Sequence, residues 1–125
     1  MILGTGVDVV EIERLRGVMD RLKDRFIFRV FTQEEQQFCL GHRDPVPHFA
    51  ARFAAKEAFF KALGTGWARG VTWLDVEVRR ERKDPPAMLL YGEAERLSAS
   101  KGVQTVHLSL SHTDHMAVAT VILEG

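Results

Sequence analysis

Between Phe49 and Gly66 the chain reads FAARFAAKEAFFKALGTG, a run that fits one long helix better than any other element. Ala, the best helix former, dominates its interior, and Gly64-Thr65-Gly66 supplies the left-handed stop expected just past a helix end. Ala51, Ala54, Ala55, Ala58 and Ala62 recur at helical spacing, so one side of the helix is thin enough for another element to approach closely. Phe49, Phe53, Glu57, Phe60 and Lys61 fall on neighbouring rows. Glu57 stands four residues before Lys61, the order that suits a solvated helical ion pair contributing a few tenths of a kcal/mol. Whether the two do more depends on what meets that side of the helix.

The first strand bears on this. Ile2 to Val10, ILGTGVDVV, is apolar and β-branched, interrupted by Gly4, Gly6 and the carboxylate of Asp8. Strand side chains alternate, which puts Gly4, Gly6 and Asp8 on one face. Two bare backbone positions beside a carboxylate mark a place where a ligand or another backbone comes close. Asp8 can equally cap the following helix, because Asp is a favoured N-cap and EIERL follows soon after.

At 125 residues the chain suits a single domain spanning 1–125, with hydrophobic residues at 46% and charged residues at 27% as in ordinary globular proteins. No apolar run approaches the roughly 20 residues of a membrane span, and the start reads as a strand rather than a signal peptide, so a cytoplasmic protein is expected. The lone cysteine, Cys39, excludes an internal disulfide and has no zinc-type spacing around it; a core or half-buried thiol is expected. Lys and Arg total 17 against 17 Asp and Glu, a balance that argues against a general nucleic-acid binder.

The charge is unevenly spread. Between Glu13 and Arg29 there are six bases (Arg14, Arg16, Arg21, Lys23, Arg25, Arg29) and three acids (Glu13, Asp20, Asp24). Ile12, Leu15, Met19, Leu22 and Phe26 step as a buried helical stripe, while Arg21, Arg25 and Arg29 form an i, i+4, i+8 row that is either a solvated face or a docking surface for an acidic partner. Thr32 and Glu35 form a capping box, predicting a short helix to about Gly41. His42 to Pro47 reads as a loop, with His42, Arg43 and His48 as loop or helix-start polar residues. Val71 to Arg80 is expected as a half-buried strand with Val76 and Val78 inward and Glu77 and Arg79 outward, and Lys83-Asp84-Pro85-Pro86 as a turn before a strand at Ala87 to Leu90. Gly92 to Lys101 is an amphipathic helix; Val103 to Ser111 and Met116 to Leu123 form a hairpin, the second strand apolar on both faces. This order, β-α-α-α-β-β-α-β-β, indicates α+β architecture.

GVDVV near the start, RFAAKEAFFKALGTG in the middle and SLSHT near the end together resemble the holo-[acyl-carrier-protein] synthases, small 4'-phosphopantetheinyl transferases, over nearly the whole chain. The resemblance implies an antiparallel sheet packed on a long central helix. It also implies transfer of 4'-phosphopantetheine from coenzyme A to a serine of apo acyl carrier protein with Mg²⁺, releasing adenosine 3',5'-bisphosphate in fatty-acid or polyketide biosynthesis.

By the family pattern Asp8 and Glu57 hold the metal, Lys61 steadies the leaving phosphate, and Glu57 takes the serine proton directly or through a metal-bound water. Arg52, Gly64, His112 and Thr113 match positions that contact the coenzyme's phosphates and nucleotide, with His112 and Thr113 contributed by a neighbouring subunit of a homotrimer. Arg14, Arg21, Arg25, Phe26, Arg29 and Phe53 match the side that grips the acidic carrier protein. Lys56 is open between a phosphate contact and an internal ion pair. The chain departs from the family's Gly-Lys-Pro hairpin at Lys83-Asp84-Pro85-Pro86, where a different turn is expected, and Asp20 and Asp24 dilute the basic face. A different Mg²⁺ nucleotide enzyme and a non-catalytic carrier-binding module are the competing readings; the chain contains no P-loop sequence, which counts against a P-loop nucleotidase.

Overall fold

A computed structural model describes residues 1–64, 70–81 and 83–125. The expected helix-stop residues Thr65 and Gly66 and the following Trp67, Ala68 and Arg69 lie outside the described residues. The chain runs β1 (Ile2–Glu11), α1 (Ile12–Leu22), α2 (Asp24–Val30), α3 (Gln33–Leu40), α4 (Val46–Leu63), a 3-10 turn (Trp73–Asp75), β2 (Val76–Arg79), β3 (Ala87–Leu90), α5 (Gly92–Ser100), β4 (Thr105–His112) and β5 (Met116–Glu124). Strands β1, β5 and β4 form an antiparallel sheet in that order, and β2 and β3 form a separate antiparallel pair. The sheet packs on α4, as the family resemblance implies.

Helix α4 is the axis of the core. Ala50, Ala51, Ala54, Ala55, Ala58, Phe49, Phe59 and Phe60 are all buried. β1 crosses the thin side of the helix so closely that a Cβ on Gly6 would stand 1.9 Å from the Ala58 carbonyl oxygen, and one on Gly4 2.1 Å from that of Ala62. The two glycines therefore admit another backbone rather than a ligand. Gly64 ends α4 in the left-handed conformation, φ 81°, as a helix-capping glycine should.

The helix begins at Val46, three residues before the expected start. Pro45 is its N-cap and Pro47 lies in the first turn, where a missing N–H costs nothing, so Val46 and Pro47 are helical rather than loop. The expected continuous helix through Ile12–Arg29 is two helices, broken at Lys23 with φ 51° and ψ −127°. Ile12 and Leu15 are buried and Met19, Leu22 and Phe26 half-buried, so the apolar stripe survives the break. The arginine row does not remain a single helical ridge: Arg21 lies in the last turn of α1, and Arg25 and Arg29 belong to α2, all three exposed.

Two strand expectations change. β2 is only Val76–Arg79, because Thr72 and Asp75 form a capping box that winds Trp73–Asp75 into a 3-10 turn. Glu77 is buried rather than outward, its carboxylate accepting from Arg79 at 2.7 Å. On β5, Ala117, Ala119, Val121 and Leu123 are buried against α4, whereas Met116, Thr120 and Ile122 are exposed. The apolar face that the sequence directs inward on both sides is thus uncovered on one side within a single chain. Val7 and Val9 of β1 continue that uncovered face, paired with Thr120 and Val118.

The capping box is present as expected: Thr32 Oγ1 accepts from the Glu35 backbone N–H at 3.3 Å and Glu35 Oε1 accepts from that of Thr32 at 2.8 Å. Glu35 does more than cap. Fully buried, it meets the Lys56 ammonium at 2.7 Å and accepts from the Val78 N–H at 2.8 Å. Lys56 Nζ also donates to the carbonyls of Val30 and Trp73. That resolves Lys56 as an internal ion pair joining α2, α3, α4 and β2. Cys39 is fully buried, and burial pushes its thiol up to about 12. Among the described residues no helix is long and apolar enough to cross a membrane.

Candidate active site

Asp8, Glu57 and Lys61 converge because β1 and α4 pack so closely. With Gly4 and Gly6 against α4, alternation turns Asp8 toward the same helix, and Glu57 and Lys61 are one turn apart there. Lys61 Nζ donates to Asp8 Oδ1 at 2.9 Å and to the Val7 carbonyl at 3.0 Å. Lys61 is paired across elements with Asp8, which displaces the reading of a simple Glu57–Lys61 helical pair. The capping reading of Asp8 also falls, since Glu11 occupies the N-cap of α1 and makes no side-chain cap bond.

Among the described residues Glu57 has no such charged partner in hydrogen-bond contact. Burial first, and then the nearby Asp8 carboxylate, push its carboxyl above its ordinary value, with Lys61 pulling it back. Two carboxylates thus face one region, and their repulsion is only partly relieved by one ammonium. Among the described residues no group of three or more His, Cys, Asp or Glu side chains could hold a metal ion. A pair of hard carboxylates leaves most coordination positions to other oxygens, a donor set that fits Mg²⁺ carried with phosphate oxygens and water.

These carboxylates open onto a cleft of about 650 Å³ lined in part by Asp8, Arg14, Phe26, Phe53, Glu57 and Met116. Phe26 of α2 and Phe53 of α4 touch, ring centroids 5.8 Å apart, and Phe53 stacks on Trp73 at 5.1 Å. The structure therefore places Arg14, Phe26 and Phe53 beside Asp8 and Glu57, with Arg21, Arg25 and Arg29 exposed on the adjoining helices. Gly64 stands at the end of α4, just beyond Lys61.

Arg52 and His112 go elsewhere. They line a second cleft, about 480 Å³, with His42, His48, Arg80 and Ser111; it shares no described lining residue with the first. Arg52 is buried, its guanidinium 4.0 Å over the Phe38 ring, and its Nε has no hydrogen-bond partner. His112 closes β4 and Thr113 follows in the turn, its hydroxyl accepting from the backbone N–H groups of His115 and Met116. Sequence reasoning left His42, His48 and Arg80 out of the site. His42 and His48 look like loop polar residues until β4, more than sixty positions away, brings His112 against them.

A model of the 4'-phosphopantetheinyl transferase superfamily matches residues 4–121. The holo-[acyl-carrier-protein] synthase of Koribacter versatilis is 49% identical over 124 residues, covering 99% of each chain. The chain belongs to this superfamily, among its holo-[acyl-carrier-protein] synthases. The family fold is equally plain in solved structures. The crystal structure of the Neisseria meningitidis holo-[acyl-carrier-protein] synthase superposes with a TM-score of 0.89 at 32% identity, over 100% of both chains. That of the Bacillus anthracis synthase, in complex with CoA (3',5'-ADP), gives 0.80 at 36% identity over 98% of this chain and 96% of the other. The synthase motifs of this chain, around Asp8, Glu57 and His112, are thus carried on the family's own architecture.

Proposed function

We propose that the chain, acting as one transferase domain, moves 4'-phosphopantetheine from coenzyme A to a serine hydroxyl of an apo acyl carrier protein and releases adenosine 3',5'-bisphosphate. The convergence of Asp8, Glu57 and Lys61 beside a cleft lined by Phe26, Phe53 and Arg14 carries this reading, in a chain of this family. Asp8 and Glu57 would hold Mg²⁺, which when bound supplies positive charge to the pyrophosphate oxygens.

The chain's own side chains account for the remaining steps. Glu57, which lines the cleft beside Asp8, takes the serine proton directly or through a water. The serine oxygen forms a bond to the β-phosphorus as the bond to the leaving phosphate breaks. Lys61, half-exposed and held by Asp8 and Val7, donates to the phosphate oxygen where negative charge grows. Phe26 and Phe53 offer apolar contact to the carrier, and Arg14, Arg21, Arg25 and Arg29 attract its acidic surface.

The two clefts suggest a homotrimer in which the coenzyme spans subunits. Asp8, Glu57, Lys61 and Gly64 of one subunit would meet the pyrophosphate, and Arg52, His112 and Thr113 of the next would take the nucleotide end. The uncovered sheet face carrying Val7, Val9, Met116 and Ile122 supports association of this kind.

The test is the mass of a purified apo acyl carrier protein after incubation with this protein, coenzyme A and Mg²⁺, with EDTA as control. A gain of one phosphopantetheine arm that EDTA abolishes is expected. Binding of the carrier with no gain in mass would instead mark a non-catalytic carrier-binding module.

A further inference from the structure

The second cleft gathers Arg52, Arg80 and three imidazoles, and none of its described lining residues is acidic. Three histidines meet there, two from the α3–α4 region and one from β4. His42, after α3, stacks on His48 of α4 with ring centroids 3.6 Å apart and planes 25° apart. His112, at the end of β4, meets the His48 ring edge-on at 5.3 Å. Arg52, one turn beyond His48, is buried with its Nε unpartnered, and its Nη1 reaches the His48 carbonyl only at 3.5 Å. A buried guanidinium with an unused N–H in an acid-free cleft is a site prepared for an anion.

The imidazoles add what fixed cations cannot. His42 Nδ1 donates to the Phe38 carbonyl at 2.9 Å, which leaves Nε2 as the ring nitrogen able to gain a proton. The groups facing His48 are His42 from the α3–α4 connection, His112 from β4, Arg52 from its own helix and Asp44 at the start of α4. Asp44 is already claimed by a bidentate contact from Arg16, at 3.1 and 2.8 Å. Glu35, near Arg52, is bound to Lys56. Among the described residues no further carboxylate faces His48 to stabilise a second charge, so the empty cleft disfavours a protonated ring at that position.

We infer that His42 and His48 are a proton-coupled part of the coenzyme-binding cleft: a phosphate group entering beside Arg52 draws a proton onto this histidine pair, so that coenzyme affinity depends on pH. The inference rests on the reading that this cleft takes a phosphate of the coenzyme. Burial first, then His42, His112 and Arg52, hold the unliganded His48 at about 4. A phosphate dianion beside the ring reverses that balance and raises the value. Because the liganded value is the higher one, binding takes up a proton and strengthens as pH falls from above the liganded value toward 4. At one coupled proton, affinity changes by up to about tenfold per pH unit across that window.

Calorimetric titration of the full-length protein with adenosine 3',5'-bisphosphate, in buffers of different ionisation enthalpy, counts the protons directly. Uptake approaching one proton per ligand is expected near pH 7, falling sharply in the His42→Asn/His48→Asn double variant. The ligand's own phosphate protonation is common to both proteins and cancels in the comparison. Zero uptake by the wild type with binding intact, once the protons that the free bisphosphate carries at that pH are subtracted, overturns the inference without any variant and leaves the phosphate site standing. Equal uptake in wild type and a folded double variant overturns it too. The reading beneath it is tested separately by Arg52→Ala: if that variant binds the bisphosphate as tightly as wild type, the cleft is not the phosphate site and the inference falls with it.

Discussion

Glu57 is held where its charge is poorly tolerated. Its carboxyl is raised by burial and by Asp8, so the folded protein binds the Glu57 proton more tightly than the unfolded chain does. A group raised in this way contributes stability at low pH that is lost as pH rises through its folded value. In the proposed enzyme, Glu57→Gln should lower transfer at least a hundredfold by removing the proton acceptor. It should leave the melting temperature in EDTA at pH 7 unchanged or higher, because a repulsion is removed; a clear fall would show that the glutamate is held by favourable bonds. The opposite case is Lys56. Its ammonium is fully buried against Glu35, so Lys56→Met leaves an unpaired buried carboxylate and should cost about 3–5 kcal/mol in urea unfolding. A loss below about 1 kcal/mol would mean that the Glu35 charge is relieved in another way.

At the scale of elements, the contact that matters is β1 on α4. Gly4 and Gly6 let the strand's backbone lie on the carbonyls of Ala62 and Ala58, and the same face then presents Asp8 to Glu57 and Lys61. Gly6→Ala would force the strand away from the helix, since the added carbon meets backbone at 1.9 Å and not a flexible side chain. A destabilisation of roughly 1–3 kcal/mol is expected, together with a loss of activity larger than that of an equally destabilised variant remote from Asp8. Denaturant titration and kcat measured on the two variants separate the effects. If activity fell only as far as stability, the strand would not be what positions Asp8.

At the scale of the whole molecule, a formal net charge of zero conceals a basic side, which the proposed function makes the docking surface for the carrier. Arg14→Glu with Arg25→Glu should raise KM for the carrier protein about tenfold or more and leave KM for coenzyme A nearly unchanged. A parallel rise in both would place the arginines in coenzyme binding instead. The separation of the Asp8 cleft from the Arg52–His112 cleft within one chain makes a second prediction. Inactive Asp8→Ala and His112→Ala chains, mixed into common oligomers, should recover part of the activity by assembling intact sites across subunits. No recovery in confirmed mixed oligomers would argue that each site lies within one chain.

How much of this was legible in the sequence depended on the range of the interaction concerned. The helix of alanines, its glycine stop at Gly64, the Thr32–Glu35 capping box and the C-terminal hairpin follow from local propensity and periodicity, whose causes lie within a few residues. The joint spacing of the Asp8, Glu57 and His112 motifs was enough to indicate the family. The break at Lys23 and the 3-10 turn at Trp73–Asp75 escaped, because neither carries a proline or glycine to announce it. Only the tertiary structure could decide that Lys61 meets Asp8 rather than Glu57, that Lys56 is spent inside the core, and that Arg52 joins His112 and two further histidines. Each of those pairings joins residues from separate elements. Side-chain charge and spacing state what a residue can bind, and packing of distant elements determines which of the possible partners lies within reach.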